Sequence, residues 1–331
     1  MGWNGDAGGM RWLAVGHGGI VPTFVDAVRG VGHEVVAVAG RDPARARAFA
    51  DRYQIAEVTD DPPSFLERVD AAYVATPHSS HRDVTLPLLQ AGIPVLCEKP
   101  MAVNARQVAD LVTAAQTTGT FLMEAMWTRH LPVYDDVRIW INQGCIGAPK
   151  LVEASFGFRA SYDRESRLWS PELAGGSLLD LGIYPLTLAD LVLDGPPSSV
   201  SAVAELSPDQ VDAHLAMILA YPDAGLARLG SAINTRLSSE ARIVGDSGTI
   251  AIPEFWRAEE ATLDSGSQRD AAHRPHRFNG FEYQILEVER CLQVGLTESP
   301  VVEWECSLAM AELMDAIRAE VKVSYPADEE A

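Results

Sequence analysis

The chain has 331 residues, 47% hydrophobic and 22% charged, and a formal net charge of −20. That length accommodates two domains with ample core, and so acidic a chain repels phosphate backbones, which argues against nucleic acid as a partner. No apolar run approaches membrane-spanning length, and Cys97, Cys145, Cys291 and Cys306 are too dispersed for a zinc ribbon or a disulfide framework, so they read as reduced thiols of a cytoplasmic protein.

Residues 1–10 are glycine-rich, lack the hydrophobic region of a signal peptide, and are expected to form a disordered leader. From residue 11 the apolar runs Trp12–Val15, Val35–Ala39, Ala71–Ala75 and Pro94–Cys97 alternate with helical patterns at Pro22–Arg29, Pro43–Tyr53, Ser64–Arg68 and Val84–Ala91. Asn104 is placed to cap a helix over Ala105–Thr117, and Phe121–Met126 reads as a further strand. Strand–helix alternation of this kind predicts an α/β domain with a doubly wound parallel sheet.

The pattern changes near Trp127. Leu151–Phe158, Ser199–Glu205, Val211–Tyr221, Leu226–Ile233 and Ala241–Ile252 read as strands, with turns at Pro222-Asp223-Ala224-Gly225 and Asp246-Ser247-Gly248. Short turns between successive strands predict an antiparallel sheet. Helices are expected around Leu178–Leu193, at Glu282–Gln293 and at Glu305–Val321.

Gly16-His17-Gly18-Gly19-Ile20 follows the first strand and opens a helix, as a pyrophosphate-binding turn does. Val21 stands where that fingerprint has Gly or Ala, so the third role is altered. The second strand ends Ala39-Gly40-Arg41, without the acidic residue that grips a ribose 2′-hydroxyl. Arg41 suits a 2′-phosphate and therefore NADP, with NAD still open; the plainer reading is an exposed residue at the start of the next helix. Thr76-Pro77-His78-Ser79-Ser80-His81 closes the fourth strand, where ligands bind in such sheets. Thr76, Pro77, His78 and His81 read as a polar loop along the cofactor or as a simple capping turn. His78 and His81 lack a nearby carboxylate or thiolate, so no metal site is expected.

Glu98-Lys99-Pro100 ends the next strand and puts a lone cation at a strand end, where the reactive ring of a cofactor belongs. Downstream, Gly175-Gly176-Ser177-Leu178-Leu179-Asp180-Leu181-Gly182-Ile183-Tyr184-Pro185 sets Asp180 and Tyr184 four residues apart, on one face of any helix there. Pro185 implies that the regular helix begins near that point. A tyrosine base needs a nearby ammonium to favour its phenolate. Lys99 could supply it and Asp180 could orient the pair; the alternatives are a core tyrosine and a surface lysine.

With these residues in view, the chain resembles the Gfo/Idh/MocA oxidoreductases from Trp12 to about Pro326. Glu98-Lys99-Pro100 is that family's signature. Met123-Glu124-Ala125-Met126-Trp127-Thr128-Arg129, the segment Gly175–Pro185 and Ile252-Pro253-Glu254-Phe255-Trp256 resemble its dihydrodiol and D-xylose dehydrogenase branch. The resemblance implies a Rossmann domain over 11–126, with Glu98 and Lys99 at the cofactor. It also implies a substrate and oligomerisation domain over 127–331 with a large open, mainly antiparallel sheet, the last helix packing back on the first domain. Tyr184 would be the acid/base, with Lys99 and Asp180 assisting, and Trp127, Trp256, Phe158 and Phe278 would line the substrate site. The implied activity is NADP-dependent hydride transfer on a sugar or trans-dihydrodiol by a homodimer or homotetramer. Two alternatives remain: an inositol or other polyol dehydrogenase, and, in another class, a catalytically silent NADP-binding sensor.

Overall fold

In a computed structural model of the chain, the described residues are 8–193, 195–222, 225–266 and 268–329. Most of the expected leader, and Asp223 and Ala224 of the expected turn, lie outside them. The end of the leader differs from expectation. Met10 is fully buried, and its carbonyl accepts from the Glu34 N–H at 2.9 Å. An apolar side chain with core to fill brings order ahead of Arg11.

The first half alternates strands and helices: β1 (Arg11–Val15), α1 (Val21–Gly30), β2 (Glu34–Ala39), α2 (Pro43–Tyr53), β3 (Glu57–Thr59), β4 (Ala71–Val74), α3 (His81–Gln90), β5 (Val95–Glu98), α4 (Ala105–Thr118) and β6 (Leu122–Ala125). The helix expected at Ser64–Arg68 is instead a single 3₁₀ turn, Pro62–Phe65. The second half runs through α5 (Val133–Asn142), β7 (Pro149–Gly157), α6 (Ile183–Val192), β8 (Ser199–Leu206), β9 (Asp212–Ala220), β10 (Leu226–Ala232), β11 (Ala241–Gly245), β12 (Thr249–Ile252), β13 (Glu260–Asp264) and β14 (Arg269–His273). It closes with α7 (Glu282–Gln293) and α8 (Trp304–Val321). The run Ala241–Ile252 forms the hairpin of β11 and β12, folded at the expected turn Asp246-Ser247-Gly248.

The chain divides into two compact units. The first holds the residues up to Trp127 together with Arg277–Leu308; the second holds Thr128–His276 and the residues from Ala309 on. The return of Arg277–Leu308 was expected only of the last helix, which is itself divided at Leu308. Polar and ring contacts hold the returning segment within the first unit. The Leu122 N–H donates to the Thr297 carbonyl at 3.0 Å, and Trp304 Nε1 donates to the Leu122 carbonyl at 2.9 Å. Glu282 is fully buried, and its carboxylate accepts from the backbone N–H groups of Arg277, Phe278, Asn279 and Gly280 at 2.7–3.2 Å.

In the first unit six parallel strands lie in the order β3-β2-β1-β4-β5-β6. Trp12 on β1 meets Phe24 of α1 edge-on at 5.3 Å, and Phe24 stacks on Tyr73 of β4 at 3.7 Å. The second unit carries an eight-stranded sheet in the order β14-β13-β12-β11-β7-β10-β9-β8. It is antiparallel except where β7 runs parallel to β10. Buried and exposed residues alternate along its strands, so one face is core and the other is open.

Candidate active site

In the first unit the glycine turn lies at the C-terminal end of β1. Gly16 has φ +115° and an N–H bonded to the Ala39 carbonyl at 2.8 Å; a side chain there would sit 2.5 Å from the Ala75 carbonyl oxygen. A side chain at Gly19 would meet nothing within 4 Å, so the backbone is open above the turn. Val21 is fully buried at the start of α1, where it packs in place of the expected small residue. Ile20 is exposed, and the His17 ring lies against Gly40 at the end of β2. Arg41 follows, exposed and without an ion-pair partner among the described residues. Asp42 caps α2, accepting from the Ala44 and Arg45 N–H groups at 3.0 and 3.1 Å, so Arg41 is an exposed residue just ahead of that helix.

The loop after β4 divides the expected cofactor residues. Thr76 Oγ1 is buried without a hydrogen-bond partner, with Pro77 beside it. His78 is buried too, its ring 5.7 Å from that of His81. His81 departs from expectation. It is fully buried, and both ring nitrogens lie 2.9 Å from backbone carbonyls, Nδ1 from Pro100 and Nε2 from Thr76. Burial holds its basicity below the usual value. It ties two strand-end loops together and has no nitrogen left for a cofactor.

The Lys99 loop is fixed from several sides. Glu98 is buried and accepts from the Tyr73 hydroxyl at 2.5 Å and the Lys99 N–H at 3.2 Å, so its carboxylate serves the scaffold. Glu124 on β6 accepts from the Met101 N–H at 2.8 Å and the Ser307 hydroxyl at 2.7 Å. Cys97 Sγ lies 3.5 Å from the Met101 carbonyl, and burial pushes its thiol pKa far up. The Lys99–Pro100 peptide is cis. Lys99 itself is half-buried at the end of β5. Trp127 packs at 5.0 Å on Phe281, while Phe278 lies against Gly30, at the end of α1 remote from the glycine turn.

In the second unit, Leu178–Gly182 forms a π-helical turn that runs into α6. Such turns favour functional sites. The regular helix starts at Ile183, beside Pro185 as the proline implied. Tyr184 is buried in an aromatic corner. Phe156 of β7 meets it edge-on at 5.6 Å and stacks on Trp256 at 4.8 Å, and Trp256 meets Tyr184 edge-on at 6.3 Å. The turn carrying Trp256 is held by the Thr128 hydroxyl on the Trp256 carbonyl at 2.7 Å and the Tyr134 hydroxyl on the Phe255 carbonyl at 2.6 Å. Asp180 is buried and pairs with Arg167 at 3.0 Å, a partner the sequence reading missed. Phe156 was missed as well, and Phe158, named instead, is 37% exposed.

A parallel sheet ordered 3-2-1-4-5-6, a glycine turn at its switch point and a lysine at a strand end define a dinucleotide-dependent oxidoreductase. Residues 10–126 match the oxidoreductase family with an NAD-binding Rossmann fold, and residues 134–251 match the GFO/IDH/MocA C-terminal domain. The chain is 36% identical to trans-1,2-dihydrobenzene-1,2-diol dehydrogenase of Xenopus tropicalis, over 96% of this chain and 99% of that one. It is 34% identical to the Mus musculus enzyme of the same name over the same shares. Among solved structures, KijD10, a 3-ketoreductase from Actinomadura kijaniata in complex with NADP and TDP-benzene, superposes with TM-score 0.83 at 25% identity, over 95% of this chain and 98% of that one. The chain therefore belongs to the Gfo/Idh/MocA family. It is an oxidoreductase acting on CH–OH groups with a nicotinamide cofactor. No helix among the described residues is long and apolar enough to cross a membrane.

Proposed function

We propose that the protein is an NADP-dependent dehydrogenase of a sugar or trans-dihydrodiol, with Tyr184 as acid/base and Lys99 assisting. The observation that carries this reading is the corner in which Tyr184 stands edge-on to the stacked rings of Phe156 and Trp256, a surface suited to the flat face of a sugar ring or an aromatic diol. The relatives' activity on trans-dihydrodiols supports it.

The open backbone at Gly19, the unpartnered Thr76 hydroxyl and the unpaired Arg41 fit a dinucleotide bearing a 2′-phosphate. When bound, the nicotinamide supplies the acceptor for hydride from the carbinol carbon. Tyr184 takes the proton from the substrate hydroxyl, leaving a carbonyl. Lys99 favours the phenolate and holds the substrate oxygen. Asp180, braced by Arg167, supports the segment that carries Tyr184.

The partner reading is self-association through the open sheet face. Val203, Ile218 and Leu226 are exposed there, and Arg228 pairs with Glu153. Sedimentation of Ile218→Glu as a monomer beside a dimeric or tetrameric parent would support it. With all four cysteines free, we place the protein in the cytoplasm.

The test is reduction of NADP⁺, with NAD⁺ alongside, against D-xylose, other aldoses, inositols and aromatic trans-dihydrodiols. Lys99→Met and Tyr184→Phe should each lose turnover and keep NADPH binding. Near-parental turnover in either variant would overturn the mechanism.

A further inference from the structure

The buried carboxylate of Asp212 lies outside every role described so far. On β9 the even positions Ala216 and Ile218 face outward, and the odd positions Leu215, Met217 and Leu219 are buried. By that alternation Asp212 belongs outside. The register with β8 breaks there: His214 faces Glu205, whereas Asp212 faces Leu206, leaving Ala213 as an extra residue. A bulge of this kind turns the residues beyond it to the other face. Asp212 is accordingly fully buried.

Its Oδ2 accepts from the Leu178 N–H at 2.6 Å and from the Ser177 hydroxyl at 2.8 Å. Ser177 Oγ also lies 2.9 Å from Ser231 Oγ on β10. The first N–H groups of a helical turn have no partner within it and carry partial positive charge. Asp212 thus serves as a distant cap on the turn Leu178–Gly182. The approach is made possible by Gly176, with φ +113°, where any side chain would collide with Asp212 Oδ1. From the other side Tyr325 donates its hydroxyl to the Gly175 carbonyl at 2.5 Å, and Arg318 lies over the Tyr325 ring at 5.0 Å, itself paired with Asp315 and Asp328.

Asp212 has no cationic partner among the described residues, and its Oδ1 is buried without a hydrogen bond. Burying a carboxylate on such terms is costly. Burial raises its pKa to about 6. A group kept at that cost points to a role in the site.

We propose that Asp212 is a positioning residue for Tyr184: it holds the head of the π-helical turn and so sets the direction in which Asp180 and Tyr184 face. The inference rests on the reading of Tyr184 as acid/base. Asp212→Asn keeps an acceptor oxygen for Leu178 and Ser177, whereas Asp212→Ala removes it.

Each variant is compared with the parent by kcat per NADPH-binding site on the fastest substrate of the panel above. A second readout is the tyrosinate absorbance titration that Tyr184→Phe abolishes, which needs no substrate. Asp212→Ala should lower kcat per site at least about ten-fold and move that titration upward, with NADPH affinity unchanged. Asp212→Asn should restore most of both. Should Asp212→Ala fail to fold, Ser177→Ala, which keeps the Leu178 bond, should show smaller changes of the same sign. An unaltered kcat per site and titration in whichever of these folds would overturn the inference. Full turnover in Tyr184→Phe would instead overturn the acid/base reading, and an inactive Tyr184→Phe beside a normal Asp212→Ala would overturn the positioning role alone.

Discussion

Tyr73 donates its hydroxyl to Glu98 Oε1 at 2.5 Å, and both side chains are buried. The pair joins the ring stack Trp12–Phe24–Tyr73 to the residue that precedes Lys99. The core of the first unit is thereby hydrogen-bonded to the strand end. Tyr73→Phe keeps the stack and strips that donor from a buried carboxylate. It should cost about 1–3 kcal/mol in urea unfolding. A loss below about 0.5 kcal/mol would mean that the bond does not bear on the loop.

Arg41 should decide between the two cofactors. On the proposed reading, Arg41→Ala would remove a charge-assisted contact to the 2′-phosphate, worth roughly a ten- to hundred-fold rise in the KM for NADP⁺. The KM for NAD⁺ should stay within about two-fold. Equal effects on both cofactors would assign Arg41 a general structural role.

Phe156 should matter more than Phe158. Phe156→Leu removes the stack on Trp256 and the edge contact with Tyr184, and should lower kcat/KM roughly three- to ten-fold. Phe158→Leu should change it less than about two-fold. The reverse order would shift the substrate surface toward the exposed end of β7.

Asp212 makes stability pH-dependent in a direction opposite to the common one. Its folded pKa, about 6, lies above the value of 3.8 for an unperturbed aspartate. Between these values the folded state binds more protons than the unfolded state, so stability falls as pH rises through the window. Asp212→Asn removes the titrating group. Its stability relative to the parent should grow by up to roughly 3 kcal/mol from pH 4 to pH 7. A constant difference across that range would show that the carboxylate titrates normally.

The sequence made the fold legible where patterns are local. The glycine turn, the strand-end lysine and the Asp180–Tyr184 pair can each be found in a few consecutive residues. Phe156 escaped because it stands between Ser155 and Gly157 in an ordinary strand, and only the turn at Phe255–Arg257 gives it a partner. Arg167 and Asp212 reach the site over 13 and 34 residues, and no spacing rule spans such distances. Asp212 is also hidden by its bulge, which reverses the face that alternation assigns. His81 misled for the opposite reason. It sits in the loop where ligands bind, but its burial among carbonyls is a tertiary fact. β13 and β14 went unread because each is short and carries only two apolar residues between charged or polar ends, Ala261 and Leu263 in one and Ala271 and Ala272 in the other.

The return of Arg277–Leu308 determines how this enzyme can be dissected. A gene fragment stopped after Trp127 would encode every strand of the parallel sheet. It would also omit Thr297, Trp304 and Ser307, which satisfy the two backbone groups of Leu122 and one oxygen of Glu124. Glu124 in turn grips Met101, next to the Lys99–Pro100 pair. The nucleotide-binding half is therefore not a contiguous module, and a minimal version would require both segments spliced through an artificial linker.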